Sequence, residues 1–144
     1  MVKFLIINSR VYPEISLGLL HGATNFLQKL DINFKEIVTP GALETPIALS
    51  MAIDTNIYDA YIILGCIVRG NTDHYKHVSE NTNTALTKLA TKHMIPIGNG
   101  ILSVHNIEHA IARSCNDDLN YGHIAANAAL EMLHIKQQFA KVKK

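Results

Sequence analysis

The chain has 144 residues, of which 48% are hydrophobic and 17% are charged, and its thirteen basic and twelve acidic side chains give a net charge of +1. A balance this close to neutral argues against an electrostatic nucleic-acid binder and against a polybasic membrane protein. No apolar run approaches the roughly 20 residues of a membrane helix, and two cysteines are too few for a disulfide framework. We therefore expect one cytoplasmic domain over residues 1–144, with neither a nucleic-acid nor a membrane partner.

Short apolar runs alternate with segments of helical periodicity. The predicted strands are 3–9, 34–40, 59–68 and 94–102, and the predicted helices are 14–30, 45–54, 73–93, 106–115 and 121–138. The first and third runs are nearly continuous in aliphatic residues, as in parallel strands buried on both faces. Strands that alternate with helices of this length are joined by right-handed crossovers. The pattern predicts a flavodoxin-like three-layer α/β/α sandwich with a four-stranded parallel sheet.

Polar residues and glycines gather where the predicted strands end. The ends read "NSRVYP", "TPGALETP", "GCIVRGNTDHY" and "GNGILS". Ligands of open parallel sheets bind outside the carboxyl ends of the strands. Glycine occurs at three of the four ends, where we expect the backbone to turn tightly or to approach a ligand closely.

The segment "RGNTDHY" combines an anion site with a titratable group. Gly70 can release the chain from the strand, and residues 71–73 are all good N-cap types for the next helix. Free N–H groups at that helix start bind anions, and Thr72 adds a hydroxyl donor. A histidine in the first turn, His74, can transfer protons near neutral pH. The alternative is a capped helix with a surface histidine.

Two other positions allow a functional and a structural interpretation. Glu44 is favourable at a helix start, or backbone groups of residues 41–44 contact a polar ligand edge. Arg113 suits the C-terminus of its helix, or it binds a phosphate.

Several other site types are not supported by the sequence. The chain has no G-x-G-x-x-G and no P-loop lysine motif, which disfavours a dinucleotide site and an NTPase. His74 and His77 lack an acidic or cysteine partner at metal-ligand spacing. Cys66 is expected to be a small core residue, and Arg69 is expected to form a structural ion pair.

Taken together, the motifs "TPGALETP", "YDAYIILGCIVRGNTDHY", "PIGNGILS" and "IEHAIARS" resemble, in order and spacing, the 6,7-dimethyl-8-ribityllumazine synthases of riboflavin biosynthesis. The resemblance extends from "INSR" to the alanine-rich last helix. It implies a transferase that condenses 5-amino-6-(D-ribitylamino)uracil with 3,4-dihydroxy-2-butanone 4-phosphate and releases phosphate and water. Neither a metal nor an organic cofactor is implied.

The resemblance also implies roles for individual residues. His74 matches the proton-transfer histidine, and Arg113 matches an arginine that pairs with the substrate phosphate. The family pocket lies between subunits of a pentamer, so that Arg113 and the "GNG" segment come from the adjacent chain. The implied substrate-binding residues are Val11, Tyr12, Gly41, Ala42, Leu43, Glu44, Ile67, Val68, Asn71, Thr72, Asn99 and Arg113.

Three positions depart from the family pattern. Val11 and Asn99 stand where aromatic residues are usual, although Tyr12 adjoins the first, and Tyr121 stands where a lysine is common. These losses are expected to weaken ligand binding by roughly one to three kcal/mol in total. They motivate a second hypothesis, a non-catalytic flavin or lumazine carrier. A third is a flavodoxin-like domain with an unrelated phosphorylated ligand. The loop 115–122, "CNDDLNYG", favours a pentamer over a 60-subunit shell.

Overall fold

A computed structural model describes residues 1–115 and 119–143 and confirms the predicted α/β/α sandwich. Within these residues the chain forms four strands, β1 (Lys3–Ser9), β2 (Asn33–Thr39), β3 (Ala60–Val68) and β4 (Ile97–Val104). The α-helices are α1 (Pro13–Lys29), α2 (Thr45–Thr55), α3 (His74–His93), α4 (Ile107–Ser114) and α5 (Tyr121–Val142), and a 3₁₀ turn covers Ala42–Glu44. None of these described helices is long and apolar enough to cross a bilayer.

The sheet is parallel, with the strand order β2-β1-β3-β4, and it is covered on both faces. Alternate residues of β1 point to opposite faces, because side chains of a strand alternate. Phe4 and Ile6 pack with α1 and α5, whereas Leu5 and Ile7 pack with α2 and α3. Burial on both faces explains why β1 and β3 read as continuous aliphatic runs.

The predicted position of the fourth strand was wrong by two to three residues. Met94 is the C-cap of α3 and has a left-handed backbone conformation (φ 52°), and β4 begins only at Ile97. The "GNG" segment, residues 98–100, therefore lies in the first half of β4 and not at its carboxyl end. A Cβ at Gly98 would collide with the backbone oxygen of Ala125. The glycine thus lets α5 pack closely on the sheet.

The glycines at the strand ends do not adopt the left-handed backbone conformation that glycine alone favours. No glycine of the described residues has a positive φ, whereas Asp31, Asn56 and Met94 do. Gly41 is extended, with φ at −160°. A Cβ added there would lie 3.0 Å from Oε1 of Glu44. The missing side chain of Gly41 therefore makes room for the Glu44 carboxylate, and the backbone angles of Gly41 do not themselves require glycine.

Asn120, the residue before α5, forms hydrogen bonds with α1, α4 and α5. Its Nδ2 donates to the carbonyl oxygens of Gly18 (2.9 Å) and Ser114 (2.8 Å). Its Oδ1 accepts from the backbone N–H groups of Gly122 (2.8 Å) and His123 (3.2 Å). The preceding residues 116–118, which are three of the eight residues of the loop from which a pentamer was predicted, lie outside the described part of the chain.

Candidate active site

A cavity of about 350 Å³ opens at the carboxyl ends of β1, β2 and β3. Its wall comes from the segments after β1 and β2, the end of β3 and the first turns of α3. Ten of the predicted site residues line it: Val11, Tyr12, Gly41, Ala42, Leu43, Glu44, Ile67, Val68, Thr72 and His74. The residues predicted from the strand ends thus line one cavity, although they are far apart in the sequence.

The start of α3 provides a hydroxyl, backbone N–H groups and an imidazole on one side of the cavity. Thr72 Oγ1 accepts the backbone N–H of His74 at 3.2 Å, so its own O–H remains able to donate to an anion. Asp73 occupies the N-cap position but makes no capping bond with its side chain. His74 is exposed and lines the cavity, where it can exchange protons with a ligand or with water.

The end of β3 forms the apolar part of the wall. Cys66 belongs to the core, as predicted, but it also lines the cavity. Burial raises the pKa of the Cys66 thiol to about 11. The thiol is therefore neutral near pH 7 and is not an activated nucleophile. Within residues 1–115 and 119–143, no three side chains of metal-ligating type converge anywhere.

Aromatic side chains border the cavity although Val11 is aliphatic. Tyr12 is half-buried, lines the cavity and packs against the core on the α1 side. The sequence analysis missed Tyr75, which lines the cavity from α3 together with Val78. Val78 lies four residues after His74 and three after Tyr75, and this helical spacing is the signal that would have found both Tyr75 and Val78. Gly70, which was expected to release the chain from the strand, is also part of the cavity wall.

Three predicted site residues do not line the cavity of their own chain: Asn71, Asn99 and Arg113. Asn99 Nδ2 donates to Oδ1 of Asn83 at 2.8 Å, and Asn99 Oδ1 accepts the N–H of Ile101 at 3.0 Å. Arg113 Nη1 donates to the backbone oxygen of His109 at 3.0 Å. Within one chain, Arg113 thus has the structural role of a cation at a helix C-terminus.

The ion pair predicted for Arg69 was wrong for the described part of the chain. Its Nη1 lies 3.4 Å from Nδ1 of His105, and its guanidinium carbon lies 5.9 Å from the ring centroid of Tyr75. The ion pair seen among residues 1–115 and 119–143 joins Arg10 to Glu36 at 2.8 Å. Arg69 therefore supports a wall residue of the cavity by stacking on an aromatic ring.

The sequence model of the family described as 6,7-dimethyl-8-ribityllumazine synthase matches residues 1–137. The chain belongs to this family. The resemblance stated from the strand-end motifs is thereby confirmed, as are the transferase class and the condensation reaction that it implied.

Individual lumazine synthases are similar to the chain over almost its whole length. The synthase of Bartonella tribocorum is 44% identical over 136 residues, covering 94% of this chain and 90% of the relative. That of Nitrobacter hamburgensis is 41% identical over 144 residues, covering 96% and 88%. That of Agrobacterium fabrum is 40% identical over 139 residues, covering 93% and 94%. The family assignment thus concerns the whole fold and not one motif.

Proposed function

We propose that the strand-end cavity is where this chain condenses 5-amino-6-(D-ribitylamino)uracil with 3,4-dihydroxy-2-butanone 4-phosphate, in one cytoplasmic domain that spans the chain. The observation that carries the proposal is the convergence of His74, Thr72 and residues 41–44 on one cavity. The reaction joins an amine to a ketone, eliminates phosphate and closes a ring with loss of water. It needs an anion site, a group that moves protons, and polar groups that hold a pyrimidine.

The N-terminal turn of α3 binds the phosphate in this proposal. The first N–H groups of a helix lack intrahelical partners and point toward a ligand. The O–H of Thr72 adds a donor, since its oxygen already accepts from the backbone of His74. Asn71, which immediately precedes Thr72, belongs to the same phosphate-binding loop.

His74 moves the protons in this proposal. For each departing group it takes one proton from the substrates, from an attacking amine or from the carbon beside the imine, and returns one proton to the leaving water or phosphate. Its position in the first turn of α3 places the imidazole beside the anion site. General acid–base help of this kind contributes about 10²- to 10⁴-fold in rate.

The remaining wall holds the pyrimidine and the ribityl chain. Backbone groups of Ile67 and Val68 at the end of β3 contact the ring edge, and residues 42–44 contact the ribityl hydroxyls. Tyr12 supplies the aromatic contact beside Val11, because both residues line the cavity after β1.

We further propose that the working enzyme is a pentamer in which the adjacent chain completes each cavity with Arg113 and residues 98–100. An exposed apolar stripe supports this proposal. Ile47 and Met51 are 56% and 67% exposed and lie four residues apart on one face of α2, and Leu43 in the preceding 3₁₀ turn is 43% exposed. Because Leu43 also lines the cavity, a neighbour that covers the stripe would reach the cavity rim.

Two single variants test the assigned roles. His74→Ala is expected to lower kcat about 10²-fold or more. Arg113→Ala is expected to lower kcat/KM for the phosphate substrate about 10- to 100-fold, because a charge-assisted contact is lost. The matched controls are His77→Ala, three residues along α3, and Arg10→Ala. Full activity in both test variants would refute the assignment.

A mixing experiment tests whether the site is shared. His74→Ala and Arg113→Ala chains are co-refolded, and turnover is compared with that of each variant alone. If neighbours share each site, random mixing restores roughly a quarter of the sites, which combine an intact His74 with an intact Arg113. Activity no higher than the average of the two variants would contradict a shared site.

A further inference from the structure

A second concave surface lies at the other end of the sheet, where β4 begins. This groove of about 630 Å³ runs between the C-terminal turn of α3 and the C-terminal half of α5, over Pro96 and Ile97. Along α5 it extends from Met132 to Lys143, which is about 16 Å at the helical rise per residue. The groove is separate from the cavity, which lies at the carboxyl ends of the strands.

The groove is lined by large apolar side chains that the fold leaves exposed. Phe139 and Met94 are 71% and 74% exposed, and Met132 and Ile135 are also exposed. The neighbouring face of α5 already packs on the sheet through Ala129 and Leu133. The groove residues therefore form a second apolar face, and contiguous exposed apolar surface of this kind marks an interaction site.

The charge around the groove is segregated. Residues 81–107 and 132–144 contain no aspartate or glutamate, yet they carry six of the thirteen lysines and arginines of a chain whose net charge is +1. His93, Lys136 and Lys143 belong to the groove wall, and no described carboxylate does. An anionic partner is thus favoured, and a second copy related by a two-fold axis would bring lysines against lysines.

The shape of the groove distinguishes between possible anionic partners. The apolar side chains line a groove between two helices, and a rod-shaped partner follows such a groove better than a flat lipid bilayer does. A helix laid between two helices fills such a groove with its own apolar face. Two methionines in the wall suit it to the side chains of a partner, because methionine is flexible.

We propose that this groove binds a short amphipathic helix of another protein, with apolar residues at positions i, i+3, i+4 and i+7 and carboxylates on both flanks of that face. The apolar residues contact Phe139, Met94 and Ile135. The carboxylates pair with Lys136 and Lys143. The proposal does not depend on the catalytic assignment, since it concerns the opposite end of the sheet.

The probe is a fluorescein-labelled synthetic peptide of about 14 residues, long enough to span the groove as a helix. It carries leucine at the four named positions and glutamate beside them. Full-length protein is titrated into it, and fluorescence anisotropy is followed. Saturable binding is expected, while a peptide of the same composition with its leucines scattered around the helix should not bind.

Variants locate the binding on the protein. Phe139→Ser is expected to weaken binding at least about ten-fold, as truncation of an aromatic anchor does. The double variant Lys136→Glu/Lys143→Glu should reverse the preference toward a lysine-flanked peptide. The matched controls are Leu17→Ser and Lys35→Glu, which lie outside the groove, and these should bind as the wild type does.

Three results would overturn the proposal. The first is equal affinity for the scattered-leucine peptide or for the Phe139→Ser variant. The second is binding to anionic phosphatidylglycerol vesicles, dependent on Phe139, without binding of the peptide. The third is Phe139-dependent self-association in sedimentation velocity, because the occupant would then be a second copy of this chain.

Discussion

Replacing Asn120 with alanine should destabilise the chain far more than removal of an ordinary helix cap. The Oδ1 of Asn120 caps α5, and loss of such a cap costs about 1 kcal/mol. The variant also removes the Nδ2 donor from the carbonyl oxygens of Gly18 and Ser114 at a position where Asn120 is only 6% exposed. The Ser114 carbonyl ends α4, and the loss of its partner costs about 1 to 3 kcal/mol, whereas the Gly18 carbonyl lies inside α1 and loses one hydrogen bond of about 1 kcal/mol. We expect a total loss of about 4 kcal/mol.

Asn106 offers a matched control, because it is also an asparagine at a helix N-cap. Its side chain accepts a single bond, from the N–H of His109 at 3.0 Å, and it is exposed. Asn106→Ala should therefore cost only about 1 kcal/mol. Asn120→Asp separates the two contributions, since aspartate keeps the cap but donates nothing to the two carbonyls.

Urea unfolding followed by circular dichroism measures these losses. Protein concentration is held constant, because self-association contributes to apparent stability. In thermal unfolding, Asn120→Ala should lower Tm by about 10 °C for a chain of this size. Equal losses in Asn120→Ala and Asn106→Ala, or an Asn120→Asp variant as stable as the wild type, would refute the reasoning.

Two further predictions concern the cysteines. Cys66 is buried and Cys115 is exposed, so a thiol reagent should modify Cys115 alone in the native protein and both residues in denaturant. Fast native labelling that survives in a Cys115→Ala variant would contradict this. Burial raises the pKa of Cys66 to about 11. As pH rises, the Cys66 thiol therefore loses its proton in the unfolded chain before it does so in the folded chain. The free energy of unfolding should fall between about pH 8.5 and 11, by about 2 kcal/mol at pH 10.5. Urea unfolding at pH 8 and 10.5 should show a smaller fall in Cys66→Ala than in the wild type or in Cys115→Ala, and an equal fall in all three would refute the assignment.

Most of the fold was predictable because strands that are buried on both faces of the sheet consist almost entirely of aliphatic residues. β1 and β3 are central strands, and their continuous aliphatic runs located them almost to the residue. The predicted start of β4 was three residues too early because Met94 and Ile95 are apolar but lie outside the strand. They end α3 and line the groove beside α5, a context that local hydrophobicity does not reveal.

The cavity was predictable to the extent that its residues follow strands. Residues 41–44, 67, 68, 72 and 74 were found because the carboxyl ends of parallel strands meet at one edge. Tyr75 and Val78 were missed because they contribute through the helical face of α3. The bonds of Asn120 were beyond sequence reasoning, since its partner Gly18 is 102 residues away in the chain.

Turnover by the purified wild-type protein is the most direct test of the proposed function. Both substrates are supplied, and formation of 6,7-dimethyl-8-ribityllumazine is followed by absorbance. We expect steady product formation with release of one phosphate per lumazine, and no turnover when the phosphate substrate is omitted. A well-folded protein that binds the lumazine but forms none of it would refute the synthase function and would favour the non-catalytic carrier.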